Sequence, residues 1–108
     1  MTIADTVTKL MLFAKLNPDK EVCGLLDTEG DIYPVDNEAK EPQNCFVFNK
    51  RQYIQTLRDI KEREREVLCV YHTHPSGDAT PSKADVEFAH RCQFPSLVVT
   101  HQEYRWVH

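Results

Sequence analysis

The sequence lacks a long apolar run, an excess of basic residues and closely spaced cysteine pairs. No apolar stretch approaches the ~20 residues that a membrane-spanning helix needs, and the longest one near the amino terminus covers residues 10–14. Asp5 lies where a signal peptide would carry positive charge, so we expect a cytoplasmic protein. The net charge of −4 at pH 7 argues against a nucleic-acid-binding surface and against binding to an anionic membrane.

The cysteine spacing and the chain length limit the kinds of domain that the sequence can form. No C-x-x-C pair occurs among Cys23, Cys45, Cys69 and Cys92, which excludes a zinc ribbon and a thioredoxin-like motif. We expect four free thiols in apolar surroundings. The 108 residues, 41% hydrophobic and 28% charged, are typical of one globular domain over residues 1–108.

The hydrophobic pattern predicts a mixed α/β fold around a single sheet. Helical spacing with polar caps, such as Thr2 with Asp5, predicts helices over residues 2–16, 49–66 and 82–89. Short apolar runs predict strands over residues 21–26, 32–35, 45–48, 67–71, 97–99 and 104–107. Pro34 indicates an edge position for the second strand. The continuously apolar run 67–71 is the best candidate for a central strand.

Two histidines, His72 and His74, follow directly on this central strand. The period of two residues in a strand places both imidazoles on one face, and Pro75 ends the strand beside a loop. Such a pair can chelate a metal ion, although a bare H-x-H more often consists of two surface histidines. The remaining histidines, His90, His101 and His108, are expected to be surface or packing residues.

Ser82 and Asp85 open the third predicted helix and allow two interpretations. In the first, they form a variant of the capping box and only satisfy backbone N–H groups. In the second, Asp85 is a third metal ligand, because a side chain in the first helical turn points back toward the amino terminus of the helix. Three protein ligands leave a position open for water, which is typical of catalytic zinc. Two histidines and one carboxylate also fit non-haem iron.

The residues His72-Thr73-His74-Pro75, followed by Ser82 and Asp85 at their spacing, strongly resemble the signature H-[S/T]-H-P-x6-S-x-x-D of the JAMM (MPN+) metalloproteases. The upstream glutamate of that family falls on Glu21, which opens a segment similar to the family's E-x-x-G-L strand. The N…P…F residues of the family fall on Asn37, Pro42 and Phe46.

This resemblance implies a zinc peptidase with one twisted mixed sheet flanked by helices, similar in layout to cytidine deaminases. One Zn²⁺ per chain would be held by His72, His74 and Asp85. Glu21 would accept a proton from the attacking water and pass it to the leaving amine. Ser82 would donate a hydrogen bond to the oxyanion or orient the water.

The resemblance also implies a protein or peptide substrate. The family cuts isopeptide bonds to ubiquitin-like tails, processes sulfur-carrier proteins and occurs in phage tail assembly proteins; a cell-wall stem peptide is a further candidate. Residues 21–24, Cys92 and residues 94–95 resemble the phage tail version, which would make the protein virion-associated. The rival interpretations are a non-catalytic scaffold module of the same fold and a non-haem iron enzyme. The sequence leaves the oligomeric state open.

Overall fold

The structure, a computed structural model, describes residues 2–107, so His108 lies outside the described residues. The helices and strands follow in the order α1 (Ile3–Leu16), β1 (Cys23–Asp27), β2 (Ile32–Val35), α2 (Lys50–Glu62), β3 (Val67–Thr73), α3 (Lys83–Arg91), β4 (Ser96–Val99) and β5 (Tyr104–Val107). None of the helices in this part of the chain has the length and apolar character needed to cross a membrane.

The five strands form one mixed sheet in the order β2-β1-β3-β4-β5. Strand β1 runs antiparallel to both β2 and β3, β3 runs parallel to β4, and β4 runs antiparallel to β5. The predicted fold class is therefore confirmed. Strand β2, which contains Pro34, lies at the edge as predicted, and β3 is the central strand.

The alternation of side chains along β3 divides the core into two faces. Cys69 and Tyr71 pack with Leu10 of α1 on one face. Val70 packs with Ile60 of α2 on the other. Since strand residues alternate with period two, His72 lies on the same face as Val70.

The helices begin where the sequence places their caps. In α1 and α3, the side chains of Thr2 and Ser82 each accept a hydrogen bond from the backbone N–H three residues on, within a complete capping box. The side chain of Asn49 accepts the Gln52 N–H at the start of α2. Each cap satisfies a backbone donor that would otherwise lack an intrahelical partner.

The predicted strand over residues 45–48 is wrong. Its only strand-like pairing within residues 2–107 is an isolated bridge between Asn37 and Phe48. The side chain of Asn37 takes the place of a ladder, because its Oδ1 accepts the Val47 N–H at 3.0 Å and its Nδ2 donates to the Cys45 carbonyl at 3.0 Å.

The predicted helix over residues 49–66 ends earlier, at Glu62. Glu64 adopts a left-handed backbone with φ of 58°, which is unfavourable in a helix. Arg65 turns back instead, and its guanidinium lies 3.0 Å from Asp27 Oδ2 and 2.6 Å from Asp31 Oδ2. Arg65 therefore anchors the end of β1.

All four cysteines are free, as predicted. Cys23 and Cys69 are buried, whereas Cys45 and Cys92 are partly exposed. Burial raises the pKa of the Cys23 and Cys69 thiols to about 12. Both buried thiols are therefore protonated and unreactive at neutral pH.

Candidate active site

Both histidines of the H-x-H motif lie at the carboxyl end of the central strand. His72 lies in β3, and His74 is the first residue after the strand. The exposed fraction is 1% for His72 and 9% for His74. Their Nε2 atoms are 3.3 Å apart. The structure thus brings the two imidazoles together on one face of the sheet, the face on which α3 also packs.

Asp85, in the first turn of α3, contacts both histidines. Its Oδ2 lies 2.9 Å from His74 Nε2 and its Oδ1 lies 3.1 Å from His72 Nε2. The same carboxylate accepts the Ser82 N–H at 2.9 Å, and the Asp85 N–H donates to Ser82 Oγ at 3.1 Å. The capping box and the contact with the histidines therefore coexist, and the cap holds the carboxylate in place.

The two imidazoles and the Asp85 carboxylate lie close enough together to share one metal ion. Ligand atoms that lie 2.0–2.1 Å from zinc are about 3.3–3.4 Å from one another at tetrahedral angles. The two Nε2 atoms are 3.3 Å apart, Asp85 Oδ1 lies 3.1 Å from His72 Nε2, and Asp85 Oδ2 lies 2.9 Å from His74 Nε2. Small outward shifts of these side chains would therefore fit an ion. The residues present match the metal that the resemblance implies.

The charges of the three groups agree with such a site. Burial alone would raise the pKa of Asp85, but hydrogen bonds from His72 and His74 hold it well below its usual value. Burial lowers the pKa of His72. For His74, burial is outweighed by the hydrogen bonds to Asp85 and to the Asp78 carbonyl, and the pKa is raised. Since metal ligands must be deprotonated, metal binding would release protons here.

Glu21 lies two residues before β1, beside the histidines. One carboxylate oxygen of Glu21 and one ring nitrogen each of His72 and His74 lie within 4.8 Å of one another. Glu21 is 4% exposed, and its Oε1 has no hydrogen-bond partner among the described residues. Burial raises its pKa to about 7; Asp85 adds to the rise and His74 opposes it. A carboxyl group that titrates near neutral pH suits proton transfer.

The main chain around Glu21 is fixed on both sides. The Glu21 N–H donates to the Pro42 carbonyl at 2.6 Å, and its carbonyl accepts Asn37 Nδ2 at 2.9 Å. The next residue, Val22, donates its N–H to Thr73 Oγ1 at 2.9 Å. Thr73 faces away from the histidines and ties the entry of β1 to the central strand.

Ser82 is exposed and borders an open cleft at the histidines. The cleft has a volume of about 210 Å³ and is lined by Glu21, Gln43, Asn44, His74, Pro75, Ser76 and Ser82. Because Ser82 Oγ accepts the Asp85 N–H, its own hydroxyl proton is free to donate into this cleft.

An apolar groove leads away from the same site. Its near part, about 340 Å³, runs between residues 45–48 and the face of α3 that carries Asp85 and Phe88. Its far part, about 660 Å³, lies between α2 and α3. The two parts share Phe48, Phe88 and Arg91, so a continuous surface extends from Asp85 to the space between the helices.

Two groups support the site in ways that sequence reasoning did not predict. Asn37 saturates its side chain, bonding to the Glu21 and Cys45 carbonyls and to the Ala39 and Val47 N–H groups. Its place in the N…P…F pattern was the available signal. The second group is the Asp78 carbonyl, 2.9 Å from His74 Nδ1; a backbone acceptor leaves no signal in the side chains.

A sequence model of the family "Prokaryotic homologs of the JAB domain" matches residues 4–108. The chain belongs to this family. The JAB-domain match includes Glu21, both histidines of the motif, Ser82 and Asp85.

Named relatives of this JAB-domain chain come from archaea and bacteria. A protein of Haloferax volcanii named desampylase is 31% identical over 76% of the chain and 61% of its own length. A CysO-cysteine peptidase of Mycobacterium tuberculosis is 24% identical over 80% of the chain and 62% of its own length. A probable TtuB-protein conjugate cleaving protease of Thermus thermophilus is 25% identical over 62% of the chain and 45% of its own length. The chain thus spans less than two thirds of the length of these relatives.

A solved structure shows the same fold. The solution structure of a Desulfitobacterium hafniense protein superposes with a TM-score of 0.71 at 22% identity, covering 91% of this chain and 74% of that one. The resemblance to phage tail proteins and the cell-wall substrate stay predictions, since none of these relatives bears on them.

Proposed function

We propose that this chain is a zinc-dependent peptidase that cleaves the peptide or isopeptide bond after the carboxy-terminal tail of a ubiquitin-like protein. One observation carries the proposal: the Nε2 atoms of His72 and His74 lie 3.3 Å apart, and the Asp85 carboxylate contacts both of them, at 3.1 and 2.9 Å. The buried carboxylate of Glu21 lies beside them, and a cleft opens to solvent. A closed structural zinc site would use four protein ligands.

The chain's own residues divide the chemistry between them. The zinc held by His72, His74 and Asp85 would supply a Lewis acid that polarises the scissile carbonyl and acidifies water. Glu21 accepts the proton of the attacking water on its carboxylate and delivers it to the amine that leaves. Ser82 donates its free hydroxyl proton to the oxyanion that develops on the carbonyl.

The groove supports an extended protein tail as the substrate. It begins at Ser82 and Asp85, runs along the open segment 45–48 and ends at the apolar residues Ile54 and Leu57. An extended chain of several residues fits this shape better than a compact small molecule. The relatives named for a TtuB-protein conjugate and for CysO-cysteine agree with a protein tail, and so does the family resemblance.

The substrate is tested by a cleavage panel analysed by mass spectrometry. The panel contains linear and isopeptide-linked conjugates of ubiquitin-like proteins, a cell-wall stem peptide and short unstructured peptides. We expect cleavage directly after the ubiquitin-like tail, loss of cleavage with a chelator and its return with one equivalent of zinc. His74→Ala should be inactive, whereas His90→Ala, which removes an exposed histidine outside the site, should be fully active.

Two outcomes would contradict the proposal. Cleavage that survives in His74→Ala or in excess chelator would show that the site is not the catalytic centre. A zinc-loaded protein that cuts no conjugate in the panel would favour the scaffold interpretation.

A further inference from the structure

The two histidines of the site are held in different ways. A metal-bound imidazole is usually oriented by a hydrogen bond from its second ring nitrogen. His74 has this bond, with Nδ1 2.9 Å from the Asp78 carbonyl. His72 Nδ1 is buried and has no hydrogen-bond partner within residues 2–107. On its Nδ1 side, the His72 ring must therefore be held by something other than a hydrogen bond.

An aromatic ring lies against His72 at the distance of a stacked pair. The ring centroids of Phe46 and His72 are 4.3 Å apart and the ring planes differ by 24°. Phe46 is in turn held edge-on by Phe48 at 5.3 Å and by Phe88 at 5.1 Å, each at 72°. Offset stacking and edge-to-face contacts are the favourable geometries for such rings.

We propose that Phe46 is a positioning residue for the metal site: its face fixes the plane of the His72 imidazole so that Nε2 points toward the ion. The inference rests on the proposed function, because it takes His72 as a ligand. When Nε2 binds a metal, the neutral ring carries its proton on Nδ1. With no acceptor for that proton, no hydrogen bond at Nδ1 replaces the orienting contact once Phe46 is removed.

The same loop also supports Glu21. Asn37 Nδ2 donates both to the Glu21 carbonyl at 2.9 Å and to the Cys45 carbonyl at 3.0 Å. Cys45 directly precedes Phe46, so one side chain links the main chain of the proposed base to the residue that orients His72. The loop therefore positions both Glu21, the proposed base, and His72, one of the proposed ligands.

The test measures metal affinity rather than activity. Zinc affinity is determined by competition with a chromophoric chelator, and the visible spectrum of the cobalt-substituted protein reports the ligand geometry. Phe46→Leu keeps an apolar side chain but removes the flat face, and we expect zinc affinity to fall by ~10–100-fold, the usual effect of losing an outer-shell partner. Phe46→Tyr keeps the face and should stay within about threefold of wild type, a small fraction of that range.

Tyr53→Leu is the matched control. Tyr53 packs against Phe48 with ring centroids 5.1 Å apart, and it belongs to the apolar cluster that contains Phe48 and Phe88. Tyr53→Leu therefore removes an aromatic ring next to the residues that hold Phe46, but not the ring that lies against His72. It should lower stability but leave zinc affinity and the cobalt spectrum unchanged. If Phe46→Leu does not fold, Phe46→Met replaces it, with circular dichroism confirming the fold.

The possible results separate the two proposals. If the wild type binds no zinc, the proposed function fails and this inference fails with it. If the wild type binds zinc and Phe46→Leu binds it equally well, the inference alone is wrong. It is also wrong if Tyr53→Leu weakens zinc binding as much as Phe46→Leu, since packing of the cluster would then explain both.

Discussion

Replacing Gly24 by alanine should destabilise the protein, although general propensities predict the opposite. Gly24 lies in β1, paired with Pro34 on one side and Tyr71 on the other. A Cβ at this position would overlap the Tyr33 carbonyl oxygen and would lie 2.7 Å from Tyr71 Oη and 2.8 Å from its Cε1. Alanine therefore fits only if the edge strand β2 and the Tyr71 ring both move.

The magnitude follows from two opposing effects. A glycine-to-alanine change that causes no strain stabilises a protein by ~0.4–1 kcal/mol, because it restricts the unfolded chain. Overpacking a well-filled core costs ~1–3 kcal/mol, and here two neighbours must shift, one of them backbone. With the cost at the upper end of its range, we expect Gly24→Ala to lower the free energy of unfolding by about 2 kcal/mol, a roughly 30-fold change in the folded-to-unfolded ratio.

The assay is urea unfolding of the metal-free protein in chelator, with wild type and variant fitted to a common m-value. The control is the same change in a Tyr71→Leu background, where the ring contacts are gone. There the cost of Gly24→Ala should shrink by about 1 kcal/mol or more, as contacting residues couple. A Gly24→Ala variant as stable as wild type, or a cost that does not depend on residue 71, would refute the reasoning.

Two further predictions concern the buried titratable groups. Burial raises the pKa of Glu21 from 4.5 to about 7. Between these two pH values the folded state keeps a proton that the unfolded chain loses. The metal-free protein should therefore lose stability as the pH rises from 4.5 to 7. Glu21→Gln should remove this pH dependence and should be more stable than wild type at pH 8 by about 1–2 kcal/mol. Urea unfolding of both proteins at pH 4.5 and at pH 8 measures the difference. A variant less stable than wild type at pH 8 would contradict this prediction. In a thiol titration without reductant, all four cysteines should react in denaturant, whereas the native protein should protect Cys23 and Cys69, whose pKa values burial raises to about 12; two or fewer reactive thiols in denaturant would be the contrary result.

Local patterns in the sequence predict much of the site and of the fold. His72 and His74 lie two residues apart in a strand, and Ser82 caps the helix that carries Asp85, so short-range geometry brings these groups to one end of the sheet. The apolar run of β3 predicts its central place, and Pro34 predicts the edge position of β2. These features depend on periodicity and caps, which a single sequence contains.

The features that could not be predicted depend on contacts between distant residues. The segment 45–48 looks like a strand, yet the Asn37 side chain replaces its ladder. The early end of α2 depends on Arg65 reaching Asp27, 38 residues away in the chain. The stacking of Phe46 on His72 brings together residues that are 26 positions apart in the chain. The periodicity of the sequence does not indicate these contacts between distant residues.

The central claim is that Glu21 transfers protons while His72, His74 and Asp85 alone hold the metal, and a comparison of Glu21→Gln with Asp85→Asn tests it most directly. Zinc content and the cleavage rate of a ubiquitin-like conjugate are measured on the same preparations. Glu21→Gln should retain one zinc per chain and lose activity by ~10²–10⁴-fold, the usual contribution of a general base. Asp85→Asn should lose both the metal and the activity. Loss of zinc in Glu21→Gln, or cleavage at the wild-type rate by that variant, would contradict the account.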